Sequence, residues 1–221
     1  MRINVLDNIV FKNKQKAIGA FVIVFYVVGL IGMLLPSTFS LFQKLIPFAL
    51  IVSFVALALF HKSTFDWKSI LCFFSIYILS FAIEAFGVKT GKIFGYYKYG
   101  EGLGLKIFQT PLIIGINWLF LVYTSSAIVD RFKIPKIGKI LLASLLMLLF
   151  DFILEHIAPK IGMWHWKENL IPIQNYVAWF ALAVFFNSLL KLFKIKIENK
   201  LALLLLGCQF LFFLFLFIGL H

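Results

Sequence analysis

Three of the nine acidic residues lie inside long apolar runs. An ionisable side chain is expensive there and is by default a functional candidate. Glu84 stands near the end of one run. Asp151 and Glu155 stand in the last part of another, with His156 beside them. Asp151 and Glu155 are four residues apart, so in a helix they share one face, about one turn apart. Two carboxyls that close in a low dielectric resist double ionisation, and one is expected to stay protonated near neutral pH. A carboxyl kept neutral can act as a general acid. The bland alternative is that the three acids pair with Lys89, Lys92 or other donors at a water interface.

Other chemistries lack their residues. The four histidines, His61, His156, His165 and His221, form no i, i+3 or i, i+4 pair, and no His-Glu-x-x-His motif occurs. Neither a histidine-rich di-iron centre nor a helical zinc site is therefore expected. The last apolar run, Leu201–Leu220, holds no lysine for a retinal Schiff base. The glycines of Gly100–Gly104 do not join a strand to a helix as a phosphate loop would, and no serine nucleophile motif is present. Cys72 and Cys208 both sit in apolar runs and read as small buried residues, not as a disulfide framework.

The elements that hold these residues follow from composition. Hydrophobic residues make up 62% of the 221 and charged residues 14%, and Phe alone contributes 28. Soluble domains run near ~45–50% apolar and ~25% charged. This composition excludes an ordinary soluble enzyme, a disordered chain and a nucleic-acid-binding domain. The expected fold is an all-α polytopic membrane protein, one transmembrane helical domain over residues 1–221, since a bilayer core needs about 20 apolar residues per helix. Seven stretches qualify or nearly so: Ala17–Leu35, Leu45–Phe60, Ser69–Val88, Thr110–Val129, Ile140–Ala158, Ile171–Leu190 and Leu201–Leu220. The first is read as a span and not a removable signal, having no small-residue cleavage pattern after it. Pro36, Pro111, Pro159 and Pro172 mark span boundaries.

Fourteen Lys and Arg fall at the N-terminus and in the even loops, against seven in the odd loops. The positive-inside rule then places the N-terminus in the cytoplasm of a multi-pass inner-membrane protein, and the C-terminus outside. In that arrangement the acids and nearly every polar aromatic residue fall in one layer, toward the extracytoplasmic side. Asn117 and Trp118 open the fourth span, and Asn175, Tyr176 and Trp179 the sixth. Tyr96, Tyr97, Tyr99, Glu101, Trp164, His165 and Trp166 lie in the loops between. Trp and Tyr at a membrane interface are also the ordinary aromatic belt.

The segment from Glu84 to Tyr99 reads E-x-x-G-x-x-T-G-x-x-F-G-x-Y-x-Y. It resembles the pattern of the carotenoid biosynthesis membrane hydratases, of the carotenoid 1,2-hydratase and bisanhydrobacterioruberin hydratase type. Pro111 and Trp118 match the proline and tryptophan that open the next span in that family. Asp151 and Glu155 match its paired acids before a G-x-W-x-W element, here Gly162 to Trp166, and Ile171 to Phe180 resembles its I-P-x-x-N-x-x-G-W-F. The resemblance covers residues 84–180. His156 stands where the family has Pro, and Ala178 where it has Gly.

The resemblance implies hydration of a terminal C=C on an acyclic carotenoid end group, the C1,C2 bond, to give a tertiary hydroxyl. The implied substrate is an acyclic or monocyclic carotenoid, derived from lycopene or gamma-carotene. The lipid bilayer and other carotenoid enzymes are the implied partners, and no nucleic acid is involved. Such a reaction needs a desolvated acid, a positioned water and a means of stabilising a tertiary cation, which aromatic faces supply. It needs no metal, redox cofactor or nucleotide. In this reading Asp151 is the principal acid, Glu155 tunes it or orients water, and Glu84 faces them. Asn117 and Asn175 hold water or carboxylate, and Tyr96, Trp118, Trp164, Trp166 and Trp179 line the pocket. Two other classes stay open: an end-group cyclase, which protonates without capturing water, and a non-enzymatic lipid carrier or accessory subunit.

Overall fold

A computed structural model describes residues 5–63 and 66–220, with side chains of the first helix from residue 13 onward. Arg2 and His221, counted above, lie outside the described residues. Among the described residues eight α-helices run in chain order: α1 (Val5–Leu34), α2 (Phe39–Lys44), α3 (Ile46–Leu59), α4 (Trp67–Thr90), α5 (Ile113–Val129), α6 (Lys136–Ile157), α7 (Ile173–Leu192) and α8 (Ala202–Gly219). Each expected span is a helix, and α2 is a short addition before α3. Among the described residues five helices are long and apolar enough to cross a membrane, while α3 and α5 are shorter. At 1.5 Å per residue α3 reaches only ~21 Å and α5 ~25 Å, less than the ~30 Å of a bilayer core.

The bundle is organised around α5. Fifteen of its 17 residues are buried, because α4, α6 and α8 pack on it with further contacts from α3 and α7. A helix that is apolar all round is stable only when covered on every side. It starts at Ile113, later than the expected Thr110, because Thr110–Pro111 (β3) pairs with Lys106–Ile107 (β2) in a small hairpin. The proline thus sits two residues ahead of the helix and not in its first turn.

The loops at one end of the bundle are built, not open. Tyr97–Tyr99 (β1) pairs antiparallel with Trp164–Trp166 (β4) in the register Tyr97–Trp166, Lys98–His165 and Tyr99–Trp164. Strand alternation sends Tyr97, Tyr99, Trp164 and Trp166 to one face and Lys98 and His165 to the other. The tryptophans and Tyr97 are buried, and Lys98 and His165 are exposed. The ladder continues through Gly100 N–H to Met163 O (2.8 Å) and Gly102 N–H to Gly162 O (3.0 Å). A Cβ at Gly100 would collide with the Gly162 carbonyl, so only glycine lets the chains close here. At the entry to this ribbon Gly91 caps α4 in the left-handed region, with φ 66°.

Candidate active site

The ribbon lies across the ends of four helices, and the three acids sit beneath it. Glu84 is in the last two turns of α4. Asp151 and Glu155 are in the last two turns of α6. Asn117 and Trp118 open α5, and Asn175 and Trp179 open α7. All three acids are buried, Asp151 completely. Such burial costs several kcal/mol per charge unless donors replace water.

The donors are specific. Glu84 Oε2 accepts from the Tyr97 hydroxyl (2.6 Å) and the Tyr99 hydroxyl (3.0 Å), and its Oε1 accepts from Trp118 Nε1–H (2.9 Å). Glu155 Oε2 accepts from two indoles, Trp166 at 2.6 Å and Trp164 at 2.9 Å. Asn175 Nδ2 donates to Glu155 Oε1 (3.0 Å) and to Asp151 Oδ2 (3.2 Å). Asp151 Oδ1 is buried and meets no partner among the described residues. The ribbon therefore divides its hydrogen bonds: the tyrosines of β1 serve Glu84 and the tryptophans of β4 serve Glu155. Burial, and next the charge of Glu84, push the Tyr97 and Tyr99 phenols well above the ordinary tyrosine range. Both stay O–H and donate.

An indole N–H only donates. A carboxyl oxygen that already holds two indoles, as Glu155 Oε2 does, therefore cannot carry a proton without breaking a bond. Asp151 Oδ1 can, since nothing donates to it. Among the described residues none of the three acids makes an ion pair, so pairing with Lys89 or Lys92 does not occur. Their partners are neutral Tyr, Trp and Asn.

Two cavities meet here. The first is polar, about 20 Å³, and is walled by Glu84, Glu155, Tyr97, Tyr99, Asn175 and Trp179, among others. That is room for about one water molecule. The second is an apolar cleft of about 150 Å³ between α1, α3, α5 and α8, lined by Phe25, Phe48, Leu50, Leu154 and Phe213 together with Asn117. Trp164 belongs to the walls of both. Trp118 and Trp179 stack beside the polar cavity with ring centroids 4.0 Å apart and planes within 19°.

Of the residues expected at the site, Glu84, Glu155, Asn175, Trp164, Trp166 and Trp179 line the polar cavity. Trp118 reaches it through Glu84, and Asn117 faces the apolar cleft. Asp151 lines neither cavity and sits behind Asn175. Tyr96 is not brought in: its side chain is 64% exposed, with Lys167 Nζ 5.8 Å from its ring centre. Sequence reasoning passed over Tyr97 and Tyr99 as site residues. The signal was their i, i+2 spacing, the same as Trp164 and Trp166, which marks one face of a strand.

Residues 45–220 match the family described as carotenoid biosynthesis protein. Over 127 residues, 52% of this chain, the sequence is 26% identical to bisanhydrobacterioruberin hydratase of Haloarcula japonica. The aligned part spans 42% of that relative's length. No solved structure matches.

Proposed function

The chain belongs to the carotenoid biosynthesis protein family, and on that premise we propose that it is a carotenoid hydratase. It adds water across the terminal C1,C2 double bond of an acyclic end group to give a tertiary alcohol. The single observation carrying this reading is a water-sized cavity walled by two buried carboxyls, separated from an apolar cleft by one shared residue, Trp164. The cleft suits the end of a lycopene- or gamma-carotene-derived chain arriving from the bilayer, and the polar cavity suits its co-substrate.

Asp151 stores the proton, on the oxygen that no group donates to. Glu155, one turn on and facing the cavity, passes that proton from Oε1, the oxygen the indoles do not hold, to the less substituted alkene carbon. The tertiary cation forms within reach of the Trp118–Trp179 stack, whose faces favour positive charge. Water held between Glu84 and Glu155 adds to the cation, and Glu84 takes its proton. The sum is one C–O and one C–H bond formed at the expense of one π bond and one water O–H; the proton gained by Glu84 then passes back through the cavity water and Glu155 to Asp151 before the next turnover. The route uses only carboxyl protons, water and aromatic faces. A cyclase would have no use for the water-sized cavity, and a carrier no use for acids without ion-pair partners. The reading includes the multi-pass inner membrane with the N-terminus in the cytoplasm.

The test is expression in a cell that accumulates lycopene or a monocyclic carotene, followed by mass analysis of the pigments. A product heavier by one water per hydrated end is expected. An isomer of unchanged mass, or no new pigment from protein present in the membrane, overturns the reading.

A further inference from the structure

The end of the bundle away from the ribbon carries another polar cavity, which the proposed chemistry does not use. It measures about 680 Å³, within the ~300–1,000 Å³ range of ligand sites. Its walls come from three places: Lys62 just after α3, Asp130 and Arg131 at the end of α5, and the stretch from Ile195 to Lys200 between α7 and α8. That stretch has the two-residue alternation of an extended chain: Ile195, Ile197 and Asn199 are buried, and Lys196, Glu198 and Lys200 are exposed. Its seat is fixed. Asn199 Nδ2 donates to Leu57 O (2.8 Å) and to the Tyr123 hydroxyl (3.1 Å), and Asn199 Oδ1 accepts from Leu201 N–H (2.9 Å). Glu198 O accepts from Lys62 N–H (3.0 Å). Arg131 Nη2 donates to Asn199 O (3.1 Å), which ties the guanidinium to the same stretch.

The charge on these walls is unbalanced. Arg131, Lys196 and Lys200 stand there with Lys62, against two carboxylates, Asp130 and Glu198. Asp130 is already taken. Lys191 Nζ lies 2.6 and 2.7 Å from its two oxygens and Lys139 Nζ 3.5 Å from Oδ1, and neither lysine is on the cavity wall. Even with Lys62 left out of the count, three cations face one remaining carboxylate. A basic concavity of this kind attracts an anion, and a guanidinium with two ammonium groups suits phosphate oxygens. Apolar side chains adjoin it at the helix ends: Phe132, next to Arg131, is 52% exposed, and Leu192, the last residue of α7, is 73% exposed. Cations for a phosphate beside apolar surface for an acyl chain are the surroundings of a lipid headgroup.

We propose that this cavity binds the phosphate group of an anionic phospholipid of the adjoining leaflet, held by Arg131, Lys196 and Lys200. A phosphodiester with one net negative charge meets the surplus that Glu198 leaves. A zwitterionic lipid brings its own ammonium group and gains less. The site is independent of the hydratase reading, since the acids lie at the other end of the bundle.

Binding to the full chain in uncharged detergent tests this. Short-chain phosphatidylglycerol and short-chain phosphatidylcholine are titrated separately, and bound lipid is counted by native mass spectrometry. The expected result is at least about tenfold tighter binding of phosphatidylglycerol, the worth of two basic residues near an anionic lipid. Inorganic phosphate at the same concentration should not displace it. In the double variant Lys196→Gln, Lys200→Gln the ratio of the two dissociation constants falls to within about threefold. The matched double variant Lys133→Gln, Lys136→Gln removes two exposed lysines from the same end but not from the wall, and keeps the ratio. Each ratio is internal to one protein, so partial loss of folded material does not imitate the effect. Equal binding of the two lipids by the unaltered protein overturns the proposal. So does an equal fall in both double variants, which would make the preference one of net charge alone, and so does displacement by inorganic phosphate, which would make the ligand a free anion.

Discussion

Replacing Asp151 by Asn is expected to stop turnover and leave the fold in place, whereas replacing Glu155 by Gln should damage both. The difference comes from which oxygens receive donors. Asp151 Oδ2 accepts one N–H from Asn175, and Oδ1 accepts none. An asparagine there keeps its carbonyl oxygen on Asn175 and turns its NH2 to the place that had no partner before. The expected change in stability is below ~1 kcal/mol. Glu155 accepts two indole N–H groups on Oε2 and the Asn175 amide on Oε1. A glutamine can hold the indoles with its oxygen, but its NH2 then confronts the Asn175 NH2, donor against donor. One buried donor stays unpaired, at about 1–3 kcal/mol. Both changes remove a proton-carrying group, which is worth ~10²–10⁴ in rate, or about 3–5 kcal/mol of barrier. The assay is hydrated pigment per unit of membrane-integrated protein, with thermal unfolding in detergent as the stability readout. Asp151→Asn at normal membrane level and within about threefold of unaltered turnover, far from the loss expected of a proton carrier, would refute the proton store.

Glu84→Gln is expected to lower turnover by ~10² or more with a milder effect on stability than Glu155→Gln. Two of its three partners are phenols that can turn and accept, and thermal unfolding of the two variants side by side checks the order. Oxygen from isotopically heavy water should label the new hydroxyl fully and heavy dioxygen should label none of it; the reaction should run without air or added reductant, as product mass will report. A periplasmic-type reporter fused after His221 should be active and a cytoplasmic-type one silent, following the lysine distribution. The opposite pattern reverses the orientation in the cell while leaving the acids and the ribbon on one side of the bundle.

The seven helices were legible in the sequence because the length of an apolar run is a local property, and lipid demands that each run satisfy its own backbone. The membrane class, the buried acids and the shared face of Asp151 and Glu155 followed for the same reason: composition, and a period of 3.6. The start of α5 was misplaced by three residues because Thr110–Pro111 is held by a partner strand, which no property of the fourth run announces. Pairing of the acids with Lys89 or Lys92 was an open alternative that only the fold removed, by turning both lysines out to the surface. The sequence contained Y-x-Y and W-x-W, but which acid each would serve depends on the register of two strands from distant loops. A one-residue slip of either strand would turn its Lys98 or His165 over the carboxyls instead. The missing donor at Asp151 and the two cavities were beyond sequence reasoning altogether. They are the space and the unsatisfied valence left over when five or more separate elements pack, and they belong to no single one of them.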